Sequence, residues 1–214
     1  PELEFYLCEK NLDPNIPLQT PVGKSGRRAN GSDVFGIDSV NEFDVFLDDI
    51  YDYCETLDIG VDTLVHESGP SQIEINLNHG DPLKLADQTF MFKRAVRQVA
   101  LKHGIHATFM AKPHQGQPGS SMHIHQNLVS IKTNKNIFSD AEGKESEAFY
   151  QYIGGLQTYL PDAMVFFAPY VNSYRRFVID ASAPINTHWG FENRTVGLRV
   201  PLSSPESKRV ENRI

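Results

Sequence analysis

Short alternating segments and longer stretches of helical period interleave along this chain. Glu2-Leu3-Glu4-Phe5-Tyr6-Leu7 alternates with period two and predicts a strand with Glu2 and Glu4 on one face. Two like charges on one side of a strand repel, unless a cation or an arginine sits between them or both stand in water at an exposed edge. Residues 10–36 are rich in proline and glycine and predict a loop. Ser39 to Glu42 has the spacing of a capping box, after which Phe43, Phe46, Leu47, Ile50, Cys54 and Leu57 recur at helical spacing until Gly60. Gln72 to Leu77 alternates again, with Ile73, Ile75 and Leu77 on one face and Gln72, Glu74 and Asn76 on the other. Glu67 stands just before the Gly69-Pro70 turn, where it can converge with Glu74. Asp81 as N-cap and Pro82 at the first helical position open a second helix, which turns Leu85, Phe92, Val96 and Val99 inward and stops at Gly104.

Residues 107–128 read as strand, loop, strand. Ala107 to Met110 is apolar and β-prone, Lys112-Pro113 opens a loop running through Gly116, Pro118 and Gly119, and Ser121 to Leu128 alternates. Met122 and Ile124 point to one face of that second strand, and His123, His125 and Asn127 to the other. Such a histidine pair is either one wall of a ligand site or part of an ordinary polar sheet face. His103 and His106, by contrast, read as capping or surface residues. Residues 129–144 predict a polar surface loop. Ala148, Phe149, Tyr152, Ile153, Leu156 and Leu160 predict a third helix ending at Pro161, with a short helix from Asp162 to Phe167 after it.

Composition narrows the function. At 214 residues the chain can bury a sizeable core, and 40% hydrophobic residues make it globular. A formal net charge of −7 argues against a general nucleic-acid partner. No apolar run approaches the ~20 residues needed to span a membrane. Two cysteines, Cys8 and Cys54, fit a reducing cytoplasm better than a disulfide framework. A start on Pro1 that enters a strand at once is the expectation for a fragment of a longer chain. Charge is unevenly spread: residues 172–214 hold seven basic side chains (Arg175, Arg176, Arg194, Arg199, Lys208, Arg209, Arg213) against four acidic ones. All but one are arginine, which grips phosphate or carboxylate in a bidentate way. In the run from Thr195 to Val200, Arg199 takes the face opposite Val196, Leu198 and Val200.

Glu2, Glu4, Glu67, Glu74 and Glu211 with His123 form an oxygen-rich donor set carrying one nitrogen, which suits Mg²⁺ or Mn²⁺ rather than structural zinc. Together with the arginines, that set reads as phosphoryl-transfer chemistry, against the alternative of a two-layer protein with scattered surface charge. Gly23-Lys24-Ser25 imitates the tail of a phosphate-binding loop, but Leu18 stands where the motif needs its first glycine, so the match fails.

Six ordered segments, PELEFYL, HESGPSQIEIN, ATFMAKPHQGQPGSSMHIH, NSYRRF, ENRTVGLRVP and RVENR, resemble the catalytic domain of the glutamine synthetase family, and the likeness covers essentially the whole chain. SSMHIHQN and THWGFENRTVGLRVP look closer to its γ-glutamylputrescine (γ-glutamylpolyamine) synthetase branch. The resemblance implies an α+β fold, a curved and mostly antiparallel sheet with helices on the outer face and the site on the inner one. It implies that residues 1–214 are a truncated catalytic domain without the family's N-terminal β-grasp domain and C-terminal part, and that the full-length protein is a cytoplasmic homo-oligomer of stacked rings. It also implies ATP, glutamate and an amine as ligands, with an acyl phosphate formed on the glutamate side chain and displaced by the amine.

By the same resemblance Glu4, Glu67 and Glu74 match the ligands of a first metal, and Glu2, His123 and Glu211 those of a second riding on the nucleotide phosphates. His125 matches a histidine near the ATP phosphates. Gly119, His123, Arg176 and Arg213 match glutamate-binding positions, and Arg194, Arg199 and Arg209 phosphate and nucleotide contacts, with Arg194 and Arg176 as the catalytic residues. Departures carry information. Ser182, within Asp180-Ala181-Ser182-Ala183-Pro184, stands where glutamine synthetases have a flap glutamate that takes a proton from ammonium. Pro118, Asn127 and Glu206 replace an asparagine, a serine and a lysine. The expectation is a glutamate–amine ligase whose acceptor is an organic amine or polyamine such as putrescine. A glutamine synthetase using ammonia and a non-catalytic relative are the alternatives.

Overall fold

The computed structural model describes residues 1–29, 33–179 and 183–214, and these divide into two compact units, Pro1–Ser121 and Met122–Ile214. The first unit comprises β1 (Glu2–Glu9), α1 (Ile37–Asn41), α2 (Asp44–Thr56), β2 (Val61–His66), β3 (Gln72–Leu77), α3 (Pro82–Lys102) and β4 (Ile105–Thr108). Its sheet runs β2-β3-β1-β4, every pair antiparallel. Register follows the alternation: Glu2 lies opposite Asn76, Glu4 opposite Glu74, and Tyr6 opposite Gln72. One sheet face sends Leu3, Phe5, Leu7, Ile73, Ile75 and Leu77 against Phe46, Leu47 and Ile50 of α2 and Phe92, Val96 and Val99 of α3. A one-residue slip would drive the carboxylates into that hydrocarbon, so the register is strongly fixed.

Capping sets the ends of α3 as the sequence predicts. The Asp81 carboxylate accepts from the backbone N–H groups of Leu83 and Lys84, both at 3.0 Å, and Pro82 occupies the first turn. Gly104 takes φ +76° just beyond the helix end, a left-handed conformation that costs glycine little.

The second unit comprises β5 (Met122–Gln126), α4 (Glu147–Phe167), α5 (Val171–Tyr174), β6 (Trp189–Phe191), β7 (Leu198–Val200) and β8 (Val210–Asn212). Its sheet runs β5-β8-β7-β6, antiparallel except for the parallel β6–β7 pair. Phe138, Phe149, Ile153, Leu160, Leu198, Val200 and Val210 form its core. Both units therefore combine helices with an open, mostly antiparallel sheet, the α+β class that the sequence implies. Among the described residues no helix is long and apolar enough to cross a membrane, and Cys8 and Cys54 are buried free thiols.

Several boundaries differ from the sequence reading. There is no capping box at Ser39: Ser39 lies inside α1 and donates its hydroxyl to Asp33, while the Glu42 carboxylate accepts from the Ser25 N–H. The helix then restarts after Phe43 without a side-chain cap. Pro161 does not end α4, which continues to Phe167. A mid-helix proline sacrifices one backbone hydrogen bond, but apolar positions persist on both sides of it, and Leu156, Leu160 and Phe167 all pack on the second core. The segment expected to be a polar surface loop after β5 anchors itself through Phe138, which is fully buried. The strand expected at Ala107 to Met110 begins earlier, at Ile105.

Candidate active site

In the first unit the carboxylates gather on the sheet face opposite the helices. A carboxylate oxygen of Glu4 and one of Glu74 lie within 4.8 Å of each other, and each residue is 8% exposed. Burial, with the nearby charges of Glu2, Glu4 and Glu67, pushes the Glu74 carboxyl up to about 8. Glu4 is held differently. Its Oε1 accepts from the Ser121 hydroxyl at 2.7 Å, and its Oε2 accepts from the Ser121 N–H at 3.0 Å and from the Gln72 side-chain amide at 3.2 Å. Glu67 stands on the turn between β2 and β3, its N–H bonded to the Gln72 carbonyl at 2.8 Å.

The segment carrying Gly119 is pinned to this face. The Tyr6 hydroxyl donates to the Pro118 carbonyl at 2.8 Å, and the Gln72 amide donates to the Gly119 carbonyl at 3.0 Å. Burial and the neighbouring Glu4 charge raise the Tyr6 phenol above its ordinary range, so it stays a donor. Gly69 is required beneath it, because a Cβ there would fall 1.9 Å from the Tyr6 hydroxyl.

In the second unit Glu211 is fully buried, with one oxygen taken by each of two arginines: Arg199 donates at 2.8 Å, and Arg213 donates to the other oxygen. His123 Nδ1 stands 3.7 Å from that same second oxygen. Arg199 also reaches Glu192 at 3.3 Å. Among the described residues the buried Nε groups of Arg199 and Arg213 have no hydrogen-bond partner, which leaves each a donor to offer. Arg209 Nε donates to His125 Nδ1 at 3.1 Å. Arginine can only donate, so the remaining imidazole proton belongs on Nε2.

The structure thus brings Glu4 and Glu74 together, with Glu2 and Glu67 close enough to act on Glu74 ionisation, and within the second unit it groups His123, Glu211, Arg199 and Arg213. His125 pairs with Arg209. Arg176 is buried against the Phe177 ring, and Arg194 is exposed at the tip after β6. The flap positions Asp180, Ala181 and Ser182 lie outside the described residues. The sequence reading attached no role to Gln72, Tyr6 or Ser121. The available signal was strand phase, since Gln72 shares the Glu74 face of β3 and Tyr6 the Glu4 face of β1.

The donors fit Mg²⁺ or Mn²⁺. They are hard oxygens, and the burial and neighbouring carboxylates that keep a proton on Glu74 near neutral pH disfavour a charge that a divalent cation would neutralise. The class these features define is an α+β domain whose first unit clusters buried carboxylates and whose second unit groups two arginines on a buried glutamate.

The family model for the glutamine synthetase catalytic domain matches residues 1–214. Across its whole length the chain is 41% identical to γ-glutamylputrescine synthetase PuuA of Escherichia coli, 37% to a glutamine synthetase of Pyrococcus horikoshii and 33% to a glutamate–isopropylamine ligase of a Pseudomonas species. Among solved structures, "Apo GmaS without ligand" superposes with a TM-score of 0.77 at 29% identity, covering 99% of this chain and 47% of that one. The chain belongs to the glutamine synthetase family. It spans 45 to 46% of the length of these curated relatives.

Proposed function

We propose that the full-length protein carrying this chain is an ATP-dependent glutamate–amine ligase, forming a γ-glutamyl amide through a γ-glutamyl phosphate. The observation carrying this reading is the buried Glu4–Glu74 pair, two carboxyl groups within 4.8 Å of each other that a bound cation would allow to ionise together. Family membership supports it, as do three relatives named as a γ-glutamylputrescine synthetase, a glutamine synthetase and a glutamate–isopropylamine ligase.

In this reading Glu4, Glu67 and Glu74 hold one divalent cation, and Glu2, His123 and Glu211 a second. Bound Mg²⁺ or Mn²⁺ supplies charge neutralisation for the phosphates and the glutamate carboxylate. The side chains do the rest. Arg199 and Arg213 offer their unpartnered Nε groups to anionic oxygens, Arg194 and Arg176 steady the transferring phosphoryl group, and Arg209 with His125 contacts the nucleotide. Gly119 lies in the segment that receives glutamate. The acceptor is an organic amine or polyamine such as putrescine, because Ser182 cannot supply the carboxylate needed to deprotonate ammonium. The complete protein acts in the cytoplasm as a homo-oligomer.

An amine screen of the full-length protein tests this, following phosphate release with ATP and glutamate against putrescine, monoamines and ammonia. Turnover with putrescine well above that with ammonia is expected. Preference for ammonia would select the glutamine synthetase alternative, which the 37% identity to such an enzyme keeps in view, and no amine-dependent release would refute the ligase reading.

A further inference from the structure

We propose that Gln72 is a positioning residue that orients the carboxylate of Glu4 and, through the same amide, couples cation binding there to the 111–121 loop. The inference rests on the ligase reading only in assuming a cation at Glu4, Glu67 and Glu74.

Gln72 is 1% exposed, and its whole side chain is engaged. The orientation of its amide follows from its neighbours. The Gly69 N–H can only donate, at 2.9 Å, so it faces Oε1. The Gly119 carbonyl at 3.0 Å can only accept, and Glu4 Oε2 at 3.2 Å already accepts from the Ser121 N–H, so both face Nε2. Oε1 thereby fixes the turn that carries Glu67, a turn closed in addition by Gln72 N–H to the Gly69 carbonyl at 3.0 Å. One amide thus anchors the supports of two of the three carboxylates and the loop.

Nε2 has two protons but three acceptors within reach, the third being Ser120 Oγ at 3.4 Å. They compete. A cation drawing on the Glu4 lone pairs weakens Glu4 as an acceptor, and the proton it held turns toward Ser120 and the Gly119 carbonyl. Tyr6, the cross-strand partner of Gln72, holds the preceding carbonyl of Pro118. Two successive loop carbonyls are therefore tied to β1 and β3 beside the carboxylates, and a cation at Glu4 tightens the loop through Gln72. Metal-supporting hydrogen bonds of this kind are worth roughly 10- to 100-fold in affinity or activity.

Full-length wild-type protein, Gln72→Met and Glu74→Ala are compared by Mn²⁺ titration with electron paramagnetic resonance, by KM for glutamate and for ATP, and by hydrogen exchange over 111–121 with and without Mn²⁺. Methionine keeps the volume and removes every hydrogen bond of the side-chain amide, leaving the backbone bonds of residue 72 in place. The expected result is Mn²⁺ binding weakened at least tenfold in Gln72→Met, with KM for glutamate raised several-fold and KM for ATP within about twofold. Mn²⁺ should increase exchange protection of 111–121 in wild type and not in the variant. A Gln72→Met protein with normal ATP affinity and wild-type Mn²⁺ binding overturns the inference. Should methionine block folding, the wild-type arm decides alone, because an exchange pattern over 111–121 that ignores Mn²⁺ also overturns it. Loss of Mn²⁺ binding in Glu74→Ala but not in Gln72→Met removes only the role of Gln72. Unchanged binding in Glu74→Ala removes the carboxylate site itself.

Discussion

Glu74→Gln in metal-free protein offers the sharpest check on the carboxylate face. The Glu74 carboxyl is raised from its ordinary 4.5 to about 8 by burial and by Glu2, Glu4 and Glu67. A raised folded-state value means that the folded protein binds more protons than the unfolded one between those limits, so stability is full below 4.5 and falls as pH rises toward 8. At about 1.4 kcal/mol per unit the ceiling is roughly 5 kcal/mol. Water entering beside the carboxylates and relaxation of the sheet lower this to on the order of 2 kcal/mol. Glutamine mimics the protonated acid, so the variant should match wild type near pH 4.5 and exceed it by that margin at pH 8. Other titrations do not imitate the effect. Asp44, Asp49, Glu145, Glu192 and Glu206 are held below their ordinary values, so their contribution is lost only at more acid pH. His66 and His114, lowered by burial, act in the opposite direction and cancel in the comparison. Urea unfolding of both full-length proteins in EDTA across pH 4.5 to 8.5 provides the assay, and saturating Mn²⁺ should then restore wild type alone. Equal stabilities at pH 8, or a less stable glutamine variant, would refute the electrostatic reasoning.

Four further outcomes follow from the packing. Phe92→Ala empties a fully buried site between α3 and the sheet and should cost about 3–5 kcal/mol in urea unfolding. Glu211→Ala strands the Arg199 and Arg213 charges, one of them buried, and should destabilise by about 3–5 kcal/mol, with a smaller loss for Glu211→Gln. Gly197→Ala places a Cβ 2.2 Å from the Asn186 carbonyl oxygen, a backbone atom that cannot swing aside, so hydrogen exchange should show β7 and β8 loosened. Asp81→Ala removes the α3 cap and should cost about 1 kcal/mol, readable as a lower melting temperature.

The elements the sequence announces are those in which one periodicity decides everything. β1 and β3 alternate so cleanly that their helix-facing and carboxylate-facing residues are legible without coordinates, and α3 carries its own start and stop in Asp81-Pro82 and Gly104. Where two signals conflict, local chemistry loses to packing. Pro161 argues for a helix end, yet the apolar positions on either side of it hold α4 to the core. Alternation in β5 assigns Met122 and Ile124 to one face and His123 to the other, but it does not say which face is buried. In the structure Met122 is 40% exposed and His123 only 7%. β2 and β6 are not legible in the sequence, because short strands of mixed polarity carry little period of their own.

The site follows the same division. Charged residues stand out in a sequence because burying them needs a reason, so Glu4, Glu74, His123, Glu211 and the arginines could be singled out before their geometry was known. The uncharged side chains that hold them give no such sign. Gln72, Tyr6 and Ser121 resemble any half-polar strand residues until the fold brings the 118–121 backbone over β1 and β3. Their importance comes from hydrogen bonds spanning long stretches of chain: 112 positions from Tyr6 to Pro118, 47 from Gln72 to Gly119 and 117 from Ser121 to Glu4. Composition reveals which groups must be neutralised, whereas only topology reveals which neutral groups hold them still. That distinction separates the Glu74→Ala and Gln72→Met arms, since the first removes a charge legible in sequence and the second a support that only the fold creates.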